Sequence, residues 1–249
     1  MTQFTFTGCS FTHGVGVDPA YPAIVAEHYR AELKNLAIPG HTNAGIFIDS
    51  LNEILYHTPD TLFVQWSGLN RHCLYPGLNV SFHIPGYINQ DLEYLDFLFT
   101  KSRARQFVDD FQILNHDYHN ILLLINYCKI LETVSKGKCR LVFINGLVPW
   151  TEDMQFMESL NDPHNAFSKY TKDILSFDLL PDDEIEKFFK SIALGLLGLN
   201  KSWWVNMFSS LASTKLDEIA DNQHPGPKTH SYYATQIIKH LESWPKTTI

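Results

Sequence analysis

FTFTGCSFT, residues 4–12, ends a short β-prone run in a glycine and then offers a cysteine and a serine. Phe4 to Thr7 alternates aromatic and β-branched side chains, as a short strand does. Gly8 stops the run. Cys9 and Ser10 then fall at the turn into whatever follows. If a helix follows, the Ser10 backbone N–H lies near that helix's N-terminus and its hydroxyl is presented at the turn. A serine nucleophile needs such exposure, together with a base and donors for an oxyanion. Ser10 also reads as a simple helix cap.

Working outward, strand and helix patterns alternate. Tyr21 to Lys34 carries Ile24, Val25, Tyr29 and Leu33 near helical spacing, with Pro22 suited to a first turn. Asn35 to Ile38 is a second short strand, stopped by Pro39-Gly40. Asn43 to Tyr56 is a second helix. TLFVQW, residues 61–66, is almost continuously apolar, which suits a strand covered on both faces. Residues 76–100 are loop-like, Ala104 to Val134 is a long helical pattern, and Arg140 to Asn145 is a fourth buried strand. Residues 146–216 read as a helical insertion, with Asp182 to Leu197 and Trp203 to Leu211 as its helices. Ser231 to Ser243 closes the chain as a helix with Ala234, Ile237, Ile238 and Leu241 on one stripe. Repeated βα units imply an α/β fold with a mostly parallel sheet between two helical layers, in one domain over residues 1–249. In such a sheet the chemistry gathers at the carboxyl ends of the strands. Three loops qualify: Gly8-Cys9-Ser10, the loop with Gly40, and Gly68-Leu69-Asn70.

Gly40 suits a backbone oxyanion donor, because a residue without Cβ lets substrate approach. It equally suits a plain turn after Pro39, and Gly45 is a second option. Asn70 presents two amide donors, and also reads as a loop residue bonding its own backbone. A base appears far downstream in DNQHP, where Asp221 and His224 are three apart. Within one turn that spacing lets the carboxylate hold the imidazole tautomer.

Composition narrows the function. The 249 residues are 45% apolar and carry a net charge of -8. An acidic surface repels phosphate backbones and anionic membranes, so neither nucleic acid nor membrane is an expected partner. MTQFTFTGCS has no basic n-region and no long apolar stretch. A cytoplasmic location is therefore expected, with Cys9, Cys73, Cys128 and Cys139 as free thiols. Asp221, His224 and His230, or His116 and His119, show no recognised metal spacing, so no metal or other cofactor is expected. Trp203-Trp204 reads as apolar packing before pocket lining. No GxSxG elbow occurs.

Four blocks together resemble the SGNH, or GDSL-like, hydrolases. GCSFT at 8–12 is similar to the first block, PGHT at 39–42 to the glycine block, GLN at 68–70 to the G-x-N block and DNQH at 221–224 to the D-x-x-H block. The resemblance covers about residues 1–75 and 217–243. It implies a three-layer, flavodoxin-like α/β/α sandwich with a helical insertion before the last block. It implies Ser10 as nucleophile, Gly40 and Asn70 with the Ser10 amide as oxyanion donors, His224 as base and Asp221 as its orienting acid. The implied activity is hydrolysis of a small acyl ester, an O-acetylated carbohydrate among the options, through an acyl-serine. Acyl transfer by the same triad, or a binding module that keeps the fold without turnover, are the other readings. Two positions depart from the pattern. Cys9 stands where the family usually has Asp, and it offers a thiol as an alternative nucleophile. Arg71 stands beside Asn70 where Asp is usual, and it is a candidate contact for an anionic substrate.

Overall fold

A computed structural model of the chain describes residues 2–68, 72–74, 82–84, 117–146, 203–205, 215–219 and 224–244. Its centre is a five-stranded sheet. The strands are β1 (Gln3–Thr7), β2 (Glu32–Asn35), β3 (Thr61–Trp66), β6 (Arg140–Asn145) and β7 (Trp204–Val205). Their order is β2-β1-β3-β6-β7 and every pairing is parallel. A separate antiparallel pair joins β4 (His72–Leu74) to β5 (Phe82–Ile84).

All six residues of β3 are buried, because helices cover both faces. Leu62, Val64 and Trp66 pack with Ile46 and Ile54 of α3 (Asn43–Tyr56) and with Leu124, Cys128 and Leu131 of α4 (Asp117–Ser135). On the opposite face Phe63 joins Phe4 and Phe6, Val25 of α2 (Tyr21–Tyr29), and Tyr233 and Ile237 of α5 (Pro227–Ser243). These are the three layers that the alternating pattern implied. Thr5 and Thr7 face α3 instead, where Thr5 Oγ1 donates to Glu53 and Thr7 pairs with Ser50. Glu53 is 2% exposed and also holds the Lys34 ammonium at 2.7 Å.

The structure corrects three sequence expectations. The first helix stops at Tyr29, not Lys34, because Arg30 turns left-handed at φ 51°. Glu32–Asn35 is then the edge strand, paired from Gln3↔Glu32 to Phe6↔Asn35. Glu, Leu and Lys favour helix intrinsically, but pairing with β1 outweighs that small preference. The expected strand over Asn35 to Ile38 continues this pairing only through Leu36 N–H to Phe6 and Ile38 N–H to Gly8. Second, Trp204-Val205 is not helical; it adds the fifth strand beside Phe143-Ile144. Trp204 is 3% exposed and packs on Phe143, as apolar packing requires. Third, the last helix begins at Pro227, four residues before Ser231. Asp182 to Leu197 and the rest of the expected insertion, apart from Gly146, Trp203, Trp204, Val205, Lys215 and Leu216, lie outside the described residues, as do 85–116.

Cys9, Cys128 and Cys139 are free thiols. Burial raises Cys139 to about 11 and Cys128 well above the usual thiol range, which leaves both unreactive near neutrality. Among the described residues no helix is long and apolar enough to cross a membrane.

Candidate active site

The strand order reverses direction at β1, whose two neighbours β2 and β3 lie on opposite sides. Sheets of this order bind ligands outside the carboxyl ends of the strands at that switch point. Ser10 lies just beyond β1 and opens α1 (Ser10–His13). Cys9, in extended conformation, occupies the cap position and makes no side-chain cap bond. Ser10 is therefore the first helical residue, and the helix-cap reading fails. Its N–H has no acceptor within the helix, as expected at that position. Gly8 must be glycine, since an added Cβ would lie 2.4 Å from Thr12 Oγ1.

The loop after β2 is tied to this turn. Asn35 Nδ2 donates to the Thr12 carbonyl at 3.1 Å, and the Ile38 N–H donates to the Gly8 carbonyl at 3.1 Å. Gly40 follows at φ 77°, a conformation that favours glycine, and a Cβ there would meet nothing within 4 Å. The side of Gly40 where a Cβ would sit is open. Gly45 is not a substitute: its N–H is engaged by the Thr42 hydroxyl at 3.2 Å, and the His41 ring lies where its Cβ would be. That ring is held by Asp49, Nε2 to Oδ2 at 2.8 Å.

Beyond β3, Ser67 and Gly68 are clamped by Asn43. Its Oδ1 accepts the Ser67 N–H at 2.7 Å and its Nδ2 donates to the carbonyls of Ser67 and Gly68. The loops after β2 and β3 thus share one buried amide. Asn70 and Arg71 come next in the chain and lie outside the described residues, as does Asp221.

His224 arrives on a clasp. Residues 217–219 and 224–226 form a small antiparallel contact, with Ile219 N–H to the His224 carbonyl at 3.1 Å and Gly226 N–H to the Asp217 carbonyl at 2.9 Å. Gly226 admits the Asp217 carboxylate, which would lie 2.6 Å from a Cβ there. That carboxylate accepts the N–H groups of Lys228 and Thr229 and the Thr229 hydroxyl, capping α5 from a distance. Desolvation pushes its acidity down, but these hydrogen bonds and Lys228 outweigh it and hold Asp217 below the usual carboxylate value. Ile219 packs on Gly16, just past α1. The His224 ring stands edge-on to Phe11, the residue after Ser10, with centroids 6.2 Å apart.

No protein-family model matches the chain, and no curated protein sequence matches it with significance. Solved structures do. The chain is similar in fold to G-D-S-L and esterase structures. One is a protein assigned to the G-D-S-L lipolytic family from Desulfitobacterium hafniense DCB-2, 12% identical, covering 97% of this chain and 100% of that one, with a TM-score of 0.44. A variant of Axe2, an acetyl xylan esterase from Geobacillus stearothermophilus, is 14% identical over 96% and 94% of the two chains, TM-score 0.43. The esterase EstA from Pseudoalteromonas sp. is 12% identical over 98% of each, TM-score 0.44. Identities this low carry no residue's role across to this chain.

Sequence reasoning missed Gln65, Asn43 and His41. Gln65 had a visible signal, a lone carboxamide inside an apolar strand. The other two had none, because only the folded loops give them partners.

His230 is also buried, at 1% exposure. Its Nδ1 accepts the Tyr21 N–H at 3.1 Å, so a neutral ring carries its proton on Nε2. Burial lowers its pKa from 6.5 to about 4, with the Asp217 charge opposing only in part. The sign follows from proton binding: below pH 6.5 the unfolded chain takes up a proton that the folded chain refuses. The stability contribution is complete above pH 6.5 and is lost as pH falls towards 4. It amounts to about 3 kcal/mol, at 1.36 kcal/mol per unit. Urea unfolding of wild type and His230→Gln at pH 7 and pH 4 checks this. The wild type is expected to lose more stability between the two pH values than the variant; equal losses would refute the assignment.

Proposed function

We propose that the chain is a serine esterase acting on small acyl esters. Ser10 is the nucleophile, His224 the base and Asp221 its orienting carboxylate. The observation that carries this reading is the His224 ring packed against Phe11, the neighbour of Ser10, at the switch point of the sheet. His224 removes the Ser10 proton as Oγ attacks the ester carbonyl carbon. The carbonyl π electrons move to oxygen. The N–H groups of Ser10 and Gly40 and the Asn70 side-chain amide stabilise that oxyanion. On collapse the alkoxide leaves with the proton from His224. Water, deprotonated by His224, then attacks the acyl-serine, and on collapse Ser10 Oγ leaves with that proton from His224 while the carboxylic acid is released.

Gly40 supports this role, since no hydrogen bond from its N–H is made among the described residues and nothing lies within 4 Å of where a Cβ would sit. Cys9 supports it by exclusion. Burial does not separate the two, since Ser10 is only 4% exposed, but the Cys9 thiol is committed to Gln65, to which it donates at 3.3 Å. Acetylated carbohydrates fall within the substrate class, and Arg71 is the candidate contact for an anionic group. A p-nitrophenyl ester series of rising acyl length, run with wild type and Ser10→Ala beside fluorophosphonate labelling, tests the proposal. Turnover and labelling that vanish in Ser10→Ala are expected. Turnover that persists there would reject it, and a folded wild type inert to both would favour a binding module.

A further inference from the structure

Gln65 is fully buried on β3, in a run that is otherwise apolar but for Thr61. Its Oε1 receives three donors: the Cys9 N–H at 3.2 Å, the Cys9 thiol at 3.3 Å and the Thr12 hydroxyl at 2.8 Å. Thr12 Oγ1 is held in turn by the Tyr21 hydroxyl at 2.6 Å. On the other side, Gln65 Nε2 donates to the Trp66 carbonyl at 2.5 Å. A backbone N–H can only donate and a carbonyl can only accept, so the amide cannot be flipped. Two glycines wall it in. A Cβ on Gly8 would lie 2.9 Å from Oε1, and one on Gly146 would lie 1.7 Å from Nε2.

These contacts bracket one residue. Cys9 precedes Ser10 and Thr12 follows it by two, and Gln65 holds both. Because Gln65 grips the N–H of the Gly8–Cys9 peptide, the Cys9 thiol and the Thr12 hydroxyl, it anchors the turn on both sides of Ser10. It also fixes the direction of the Ser10 Cα–Cβ bond. We propose that Gln65 is the positioning residue of the nucleophile turn, setting Ser10 from the switch-point strand without touching substrate. The proposal rests on Ser10 being the nucleophile.

A side chain that acts through Ser10 should alter acylation and leave substrate binding alone. Leucine at position 65 fills much of the space but leaves the Cys9 N–H and the Thr12 hydroxyl without their acceptor. Glutamate keeps the shape. While protonated it can still donate to the Trp66 carbonyl and accept from Cys9 and Thr12. Once ionised, it sets a carboxylate oxygen against that carbonyl, and the turn loses its anchor.

The experiment compares wild type, Ser10→Ala, Gln65→Leu, Gln65→Glu and Thr12→Val as full chains. It reads fluorophosphonate labelling rates, kcat and KM on p-nitrophenyl acetate across pH, and thermal melts. Labelling of wild type and its loss in Ser10→Ala establish the parent reading; if the two behave alike, that reading is what has failed. With it established, folded Gln65→Leu is expected to label and turn over about tenfold to 10²-fold more slowly, with KM within about twofold, the scale of a small misplacement. Gln65→Glu is expected to stay near wild type on the acid side and to gain a falling alkaline limb that wild type lacks. Should Gln65→Leu fail to fold, Thr12→Val and Gln65→Glu decide: a kcat-only loss in the first and the new limb in the second support the proposal. Folded Gln65→Leu labelling within about twofold of wild type, or a Gln65→Glu profile parallel to wild type, overturns it.

Discussion

Replacing Ser10 or His224 by alanine is expected to lower kcat roughly 10³-fold to 10⁶-fold, and replacing both to cost little more than either alone. The two side chains would act on one proton in one step. Once either is gone, the other has nothing to do, so the losses cannot add. Asp221→Asn should cost less, because His224 can still remove a proton in the fraction of molecules with the right tautomer. Single-turnover and steady-state kinetics on one p-nitrophenyl ester measure all four variants. Cys9→Ser should stay within about tenfold of wild type, a difference of roughly 1.4 kcal/mol. The buried thiol has its hydrogen bond to Gln65 in a place where a hydroxyl can make the same bond. If Cys9→Ser abolishes turnover while Ser10→Ala keeps it, the thiol is the nucleophile and the assignment of Ser10 is wrong.

The second large effect belongs to the oxyanion donors. Asn70→Ala is expected to lower kcat about 10²-fold to 10³-fold, roughly 3–4 kcal/mol, with little change in KM. The split follows from when the charge appears. The ground-state carbonyl is nearly neutral, so the donor contributes mainly after attack has begun. Of the three proposed donors it alone can be deleted at a side chain, since Ser10 and Gly40 use backbone N–H groups. A rise in KM with kcat unchanged would make Asn70 a substrate contact rather than an oxyanion donor.

Much of the sheet was legible in the sequence because its central strands obey simple rules. Thr61–Trp66 and Arg140–Asn145 are buried along almost their whole length and read as nearly continuous apolar runs. Asn43–Tyr56 has a visible start at Thr42, whose hydroxyl accepts the Gly45 N–H. The edge strand Glu32–Asn35 was hidden because its side chains are largely exposed and its residues favour helix. The early start of α5 was hidden for another reason. Its cap is Asp217, ten residues upstream of Pro227, and no local window contains both. The site divides the same way. Of the proposed residues, Ser10 follows β1 closely, while Gly40 comes five residues after the end of β2 and is suggested by Pro39-Gly40 rather than by a strand end. His224 is proposed from its block alone, since its contact with Phe11 joins residues more than two hundred positions apart. Asn43 gave no sign that its amide would join two loops.

The clasp between 217–219 and 224–226 bears on how the chain tolerates change in length. It closes downstream of residue 215 through short-range hydrogen bonds and Asp217's grip on α5. The register of His224 against the last helix is therefore fixed locally, whatever number of residues precedes it. A change of length within 217–219 or 224–226 would instead shift His224 against Phe11, which makes the clasp the stretch an engineer should leave untouched.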